Sequence, residues 1–149
     1  SLTLDGVSGV VGGGWARRAR FDRAAGSTRL VTERASQASA TQRAGRAARQ
    51  GPGVAYRLWE EAGHSGRAPF DPPEIAIADL APMLLTLSDW GVADPTALPW
   101  LDRPPQASLD AAREALRALG ALDDAGRITA KGRGMAALPL DPPSAAMLL

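Results

Sequence analysis

Apolar and polar positions change period several times along this chain, and each change marks an element. Residues 1–11 alternate small and apolar residues, and Val7, Val10 and Val11 predict a buried strand. Residues 15–21 and 27–33 are two short β-prone segments around the turn-rich 22–26, which predicts a β-hairpin. Between them and the first strand, Gly12, Gly13 and Gly14 must form a turn. Residues 36–49 read as a helix that Ser36 or Ser39 can cap. Residues 54–59 read as the next strand, with Tyr56 and Trp59 packed in the core or at a domain edge.

A loop over residues 63–73, rich in Gly and Pro, separates this part from the next, and His64 is expected there as an exposed loop residue. The helix that follows has two candidate starts. Asp71, Pro72, Pro73 and Glu74 resemble a capping box, but a helix begun there would carry Pro82 deep inside. A start at Asp79 puts Pro82 in the first turn, and Leu80, Met83, Leu84 and Leu87 then form the stripe of a buried face. Gly91 ends it. Across the proline-broken 94–105, Leu98, Trp100 and Leu101 can plug a core. The clearest amphipathic pattern covers residues 108–119, with Leu109, Ala112, Leu116 and Leu119 inward and Gly120 as the stop. A short hairpin over 121–129 and a third helix, capped by Thr129 and running through Met135 and Leu138, complete the order helix, helix, hairpin, helix. That order describes a winged-helix domain. The fold class is therefore α/β followed by α+β.

Charge sharpens the division. The net charge of +1 hides ten arginines against four acids in residues 1–60, and seven bases against twelve acids in residues 61–149. A basic first part suits a phosphate-bearing partner. The hairpin carries Arg17, Arg18, Arg20, Arg29 and Arg34 without a matching set of acids in sequence, next to Trp15 and Phe21, which again favours a polyanion over a merely solvated ribbon. With no cysteine and one histidine, disulfides and histidine-cluster metal sites are excluded. No run approaches a membrane span, so the expected location is cytoplasmic.

The densest candidate chemistry is Gln42, Arg43, Ala44, Gly45, Arg46, Ala47, Ala48 and Arg49. On a helix, Gln42, Arg46 and Arg49 fall at i, i+4 and i+7 and share one face able to hold an anion. Gly45 costs a helix about 1 kcal/mol relative to alanine, and small residues fill every gap. Both features let a ligand or backbone come close while the arginines reach past.

The octamer resembles motif VI of the superfamily 2 helicases, in the Gln-Arg-x-Gly-Arg-x-Gly-Arg form of the DEAH-box RNA helicases, and its surroundings resemble the bacterial HrpB type. Ala48 stands at the last glycine of that pattern, and Gly12 and Gly13 replace an Asp-Ser pair. Residues 1–6, from Ser1 to Gly6, resemble the end of motif V, although Thr3 and Asp5 also read as ordinary turn residues.

The resemblance implies an ATP-dependent RNA helicase. Residues 1–62 would be the C-terminal part of a second RecA-like domain, 63–138 a winged helix, and 139–149 the start of a helical domain. It implies Arg46 and Arg49 as the catalytic arginines, with Gln42 orienting water or touching the γ-phosphate. Asp5 and Arg43 would stand on the nucleotide side, Arg43 also supporting the domain. Ser1, Thr3, Arg17, Arg18 and Arg20 would lie toward nucleic acid, and the hairpin would act as a strand-separating pin. ATP with Mg2+ is the implied cofactor, RNA or DNA the partner, together with an N-terminal RecA-like domain absent from these residues. The chain encodes no Gly-x-x-x-x-Gly-Lys-Ser/Thr loop and no acidic magnesium motif, so it reads as a fragment without ATPase of its own. The competing reading is a winged-helix nucleic-acid-binding module without catalysis, but the exposed face of residues 108–119 mixes Asp110 and Glu114 with Arg113 and Arg117, a poor groove reader.

Overall fold

The computed structural model describes residues 5–149 except Arg23 and Ala93. Contacts group residues up to 19 with 30–72, and residues 20–29 with 73–149.

In the first unit, β1 (Gly9–Gly12) pairs in parallel with β4 (Val54–Arg57), Val10 opposite Ala55 and Val11 opposite Tyr56. A parallel pair requires a long crossover. Here it contains the hairpin of β2 (Trp15–Asp22) and β3 (Ser27–Arg34), then α1 (Gln37–Ala44), which packs on both β1 and β4. The buried Ser36 caps α1, its Oγ accepting from the Ser39 amide at 3.0 Å. Alanines make the core of this unit, namely Ala35, Ala40 and Ala47.

The predicted burial of the strands is not found. Every residue of β4 is exposed, Tyr56 among them, and so is Val11 of β1, while Val10 is half-buried. The reason is geometric: parallel strands bury their side chains when both sheet faces are covered, and this sheet has two strands with α1 against it.

The segment after β4 also differs from expectation. His64 belongs to the short α2 (Glu61–Ser65), which runs through Gly63, and its ring stacks on Trp59 at 6.2 Å. Arg67, placed in the expected loop, is buried. Its Nη1 donates to the carbonyls of Gly14 at 2.7 Å and Ala35 at 3.0 Å, and its guanidinium lies 4.3 Å from the Trp59 ring centroid. Gly14 is left-handed (φ 75°), and a Cβ there would stand 2.5 Å from the Arg67 guanidinium. This anchoring carries the first unit to Pro72, whereas the domain boundary read from sequence, 62/63, falls within α2.

From residue 73 on, the second unit has the helix, helix, wing, helix order expected from the sequence. A short α3 (Glu74–Ile77) precedes α4 (Ala81–Asp89), in whose first turn Pro82 sits, and the Asp79 carboxylate accepts from the Ala81 amide at 2.9 Å. Leu80, Leu84 and Leu87 are buried as the stripe predicts, Met83 is half-buried against the same core, and Leu85, outside the stripe, is buried as well. A 3-10 turn (Pro95–Ala97) follows, and the Trp100 indole donates to the Pro95 carbonyl at 2.7 Å. Leu101, expected to plug the core, is fully exposed, because Pro95 and Trp100 fill that place from the same loop.

Helix α5 (Gln106–Ala118) buries Leu109, Ala112 and Leu116 and stops at the left-handed Gly120. The wing is shorter than the predicted hairpin, with a single antiparallel bridge, Leu122 to Ile128, around a turn closed by the Gly126 amide on the Asp123 carbonyl at 2.9 Å. Thr129 caps α6 (Ala130–Ala136), accepting from Gly132 at 3.0 Å, and Leu138 lies beyond the helix end. Gly132 permits that packing, since a Cβ would stand 2.2 Å from the Ala121 carbonyl oxygen. Met135 joins the Leu109 and Leu116 core, and α7 (Pro142–Leu148) adds Ala145.

Candidate nucleotide and nucleic-acid site

The arginine segment does not continue as one helix. Residue 45 ends α1, and the chain passes into tight turns in which the Arg46 amide donates to the Arg43 carbonyl and the Ala47 amide to the Ala44 carbonyl, each at 3.1 Å. Gln42 therefore stands on the last turn of α1 and Arg46 and Arg49 in the turns after it, so the shared helical face predicted from their spacing is not formed. The cause lies at Ala47. It is buried against Gly53, where a Cβ would be 2.0 Å from the Ala47 carbonyl oxygen, and this backbone contact draws the chain off the helix axis toward β4. The result is an outward bend at the end of α1, with Gln42 and Arg49 exposed and Arg46 half-buried.

Two contacts fix the bend. Gln50 Nε2 donates to Asp5 Oδ1 at 2.5 Å, and the Gly6 amide donates back to Gln50 Oε1 at 3.2 Å. Asp5 is thus tied to the end of the arginine segment, through a residue that no sequence pattern singled out. Arg43 Nη1 donates to the Trp15 carbonyl at 2.7 Å and lines a cavity of about 20 Å3 beneath the sheet, so its visible task is to join α1 to the root of the hairpin. Ser1 and Thr3 lie outside the described residues.

The hairpin arginines divide by strand alternation. Trp15, Arg17 and Arg34 are on the exposed face, whereas Arg18 and Arg20 are half-buried on the other. The expected lack of matching acids does not hold. Arg18 pairs with Glu33 at 2.5 Å and Asp71 at 2.7 Å, and Arg29 pairs with Asp22. Asp71 is held below the usual carboxylate range first by the Ser36 hydroxyl and then by Arg18, so the helix cap, the hairpin and Asp71 form one polar network. Asp22 also accepts from the amides of Ala24 and Ala25 at 3.0 and 3.3 Å, which shapes the hairpin tip. Two of these acids, Asp22 and Glu33, lie in the hairpin itself, and the third, Asp71, comes from far along the chain.

Residues 112–140 match the winged-helix model of the helicase-associated domain, HA2. This part of the chain is similar to a helicase-associated winged helix. Over all 149 residues the chain is 47% identical to the ATP-dependent RNA helicase HrpB of Escherichia coli, covering 18% of that protein. It is 41% identical over 141 residues, 95% of the chain, to the probable ATP-dependent RNA helicase DHX34 of Homo sapiens, covering 12% of it. It is 39% identical over 150 residues, 100% of the chain, to the pre-mRNA-splicing factor ATP-dependent RNA helicase prp22 of Schizosaccharomyces pombe, covering 13% of it. Two crystal structures of E. coli HrpB superpose with TM-scores of 0.89 and 0.92 at 47% identity, each over 99% of this chain, and the chain covers 18% and 19% of them. The chain thus spans less than a fifth of the length of these helicases.

Proposed function

We propose that these residues form part of an ATP-dependent RNA helicase of the DEAH-box HrpB type, working in the cytoplasm. In this reading the first part of the chain, as far as residue 72, is the C-terminal part of a second RecA-like domain, residues 73–138 are the winged helix and 139–149 the opening of a helical domain. The observation that carries it is the 47% identity to HrpB across the whole chain, arginine bend included.

ATP would bind at the arginine bend, completed by a RecA-like domain outside this chain. Arg46 and Arg49 stabilise charge developing on the γ-phosphate, a contribution made by preorganised guanidinium groups. Gln42, exposed beside them, orients the attacking water or contacts the γ-phosphate. Asp5 acts through Gln50 to hold the bend, and Arg43 does so through Trp15, both as positioning residues. Among the described residues no cluster of His, Asp or Glu fits a metal ion. Magnesium would be held by the nucleotide and by residues of the completing RecA-like domain.

RNA, or DNA, would meet the exposed hairpin face of Trp15 and Arg17, with Ser1 and Thr3 contributing from the opening segment. Arg18, paired with Glu33 and Asp71, serves as a strut that keeps the hairpin in place. The reading is tested by replacing the matching segment of E. coli HrpB with these 149 residues. RNA-stimulated ATPase within about tenfold of the parent supports it. A folded chimera that binds RNA without hydrolysing ATP would favour the competing binding-module reading.

A further inference from the structure

The winged helix holds a cleft that neither the arginine bend nor the hairpin uses. Its volume is about 570 Å3, and it lies between the end of α4, one face of α5, the wing and α6. Leu122 and Ile128 give it apolar surface, while Arg113, Arg117, Arg127 and Arg133 bring four guanidinium groups to its lining.

Helical period accounts for the charge. Arg113 and Arg117, at i and i+4, share the cleft face of α5, whereas Glu114 stands exposed outside the lining. The mixed face read from the sequence is therefore sorted by the fold. Arg127 is neutralised by Asp123 at 2.9 Å, and Arg113 by Asp110 at 3.0 Å. Arg117 donates from Nε and Nη2 to the carbonyls of Asp123 and Asp124, at 3.3 and 3.1 Å. Those bonds aim the group without cancelling its charge. Among the described residues the Arg133 guanidinium has no acceptor, and Asp89 is the one lining acid besides Asp123.

We propose that this cleft is a phosphate-binding site, taking the phosphate of a nucleic-acid strand or of a free nucleotide. An aimed guanidinium and an unoccupied one across a concave surface suit the bidentate geometry of a phosphate. The volume lies in the range of small-ligand sites, and the apolar floor can take a base or sugar. The site belongs to the winged helix alone and does not depend on the ATP reading of the arginine bend.

The test is an NMR titration of the whole isotope-labelled chain with inorganic pyrophosphate. The arginine side-chain Nε–H signals and the amides of the wing report on the cleft. Saturable shifts there are expected, and Arg133→Ala should weaken them by about tenfold, the scale of losing a charge-assisted hydrogen bond. Arg133→Lys, which keeps the charge without the fork, should fall between, and it guards against a fold effect of the alanine variant. Uridine monophosphate and a ten-residue oligouridylate then separate the sources: tighter binding of the oligomer assigns a strand, equal binding a free nucleotide. Absence of saturable shifts at the cleft, binding unaltered in both Arg133 variants, or a hexaglutamate peptide that binds there more tightly than pyrophosphate would each overturn the proposal.

Discussion

Replacing Arg67 by methionine keeps most of the side-chain volume and removes the charge, which makes it a direct probe of how the first unit is held. Arg67 is 8% exposed and donates two hydrogen bonds to carbonyls, at 2.7 and 3.0 Å, beside the Trp59 ring at 4.3 Å. A hydrogen bond from a charged donor contributes about 1.5–3 kcal/mol, and a partly desolvated cation over an aromatic ring about 1–2 kcal/mol. Against this stands the cost of burying a guanidinium whose Nε has no acceptor among the described residues. The Gly14 carbonyl keeps the Ala35 amide at 2.9 Å, so one carbonyl, that of Ala35, loses its side-chain donor. The net loss is about 2–4 kcal/mol. Hydrogen exchange followed by mass spectrometry reads this locally: amides around residues 35–40 and 59–67 should exchange about 30- to 1000-fold faster, while those of α5 should not change. Unaltered exchange near Ala35 would refute the assignment of Arg67 as the anchor, and equal acceleration in α5 would refute its confinement to the first unit.

Other consequences follow from close contacts and charge. Gly53→Ala drives a Cβ into the Ala47 carbonyl, which must move by more than 1 Å; a loss of about 2–4 kcal/mol in local stability, read by exchange at residues 44–50, is expected. Asp71 has a folded pKa below its unfolded value, so its contribution is present above the unfolded value and disappears as pH falls through the folded one. Asp71→Asn should therefore flatten stability loss below about pH 4, measured by acid titration of tryptophan fluorescence. Replacing residues 23–27 at the hairpin tip by a short turn, in the HrpB chimera, should leave RNA-stimulated ATPase nearly unchanged and reduce duplex unwinding; joint collapse of both activities would make the tip part of the motor's fold.

Where neighbours in sequence decide the structure, the residues were enough. The α5 stripe of Leu109, Ala112 and Leu116, the stop at Gly120 and the Thr129 cap depend on periods and offsets within a few positions, and each is found. The hairpin is found for the same reason, within one residue of its expected ends. What escaped depends on distant contacts. Helix α1 stops early because Gly53 admits the Ala47 backbone. Arg67 is buried by partners at Gly14 and Ala35, 53 and 32 residues away. Arg18 meets Asp71, 53 positions on in sequence, and Gln50 meets Asp5, 45 positions back. No local pattern encodes such pairs. In the candidate site, Gln42, Arg46 and Arg49 stood out in sequence as a dense run of polar and cationic side chains, whereas their placement on a bend did not.

The central claim is that Arg46 and Arg49 act on the transition state of ATP hydrolysis, and single-turnover ATPase of the HrpB chimera tests it most directly. Arg46→Ala and Arg49→Ala should each lower the hydrolysis rate about 10³-fold or more, with the dissociation constant for ATP within about tenfold of the unsubstituted chimera. A loss confined to ATP affinity, with the rate of the bound complex preserved, would contradict the account.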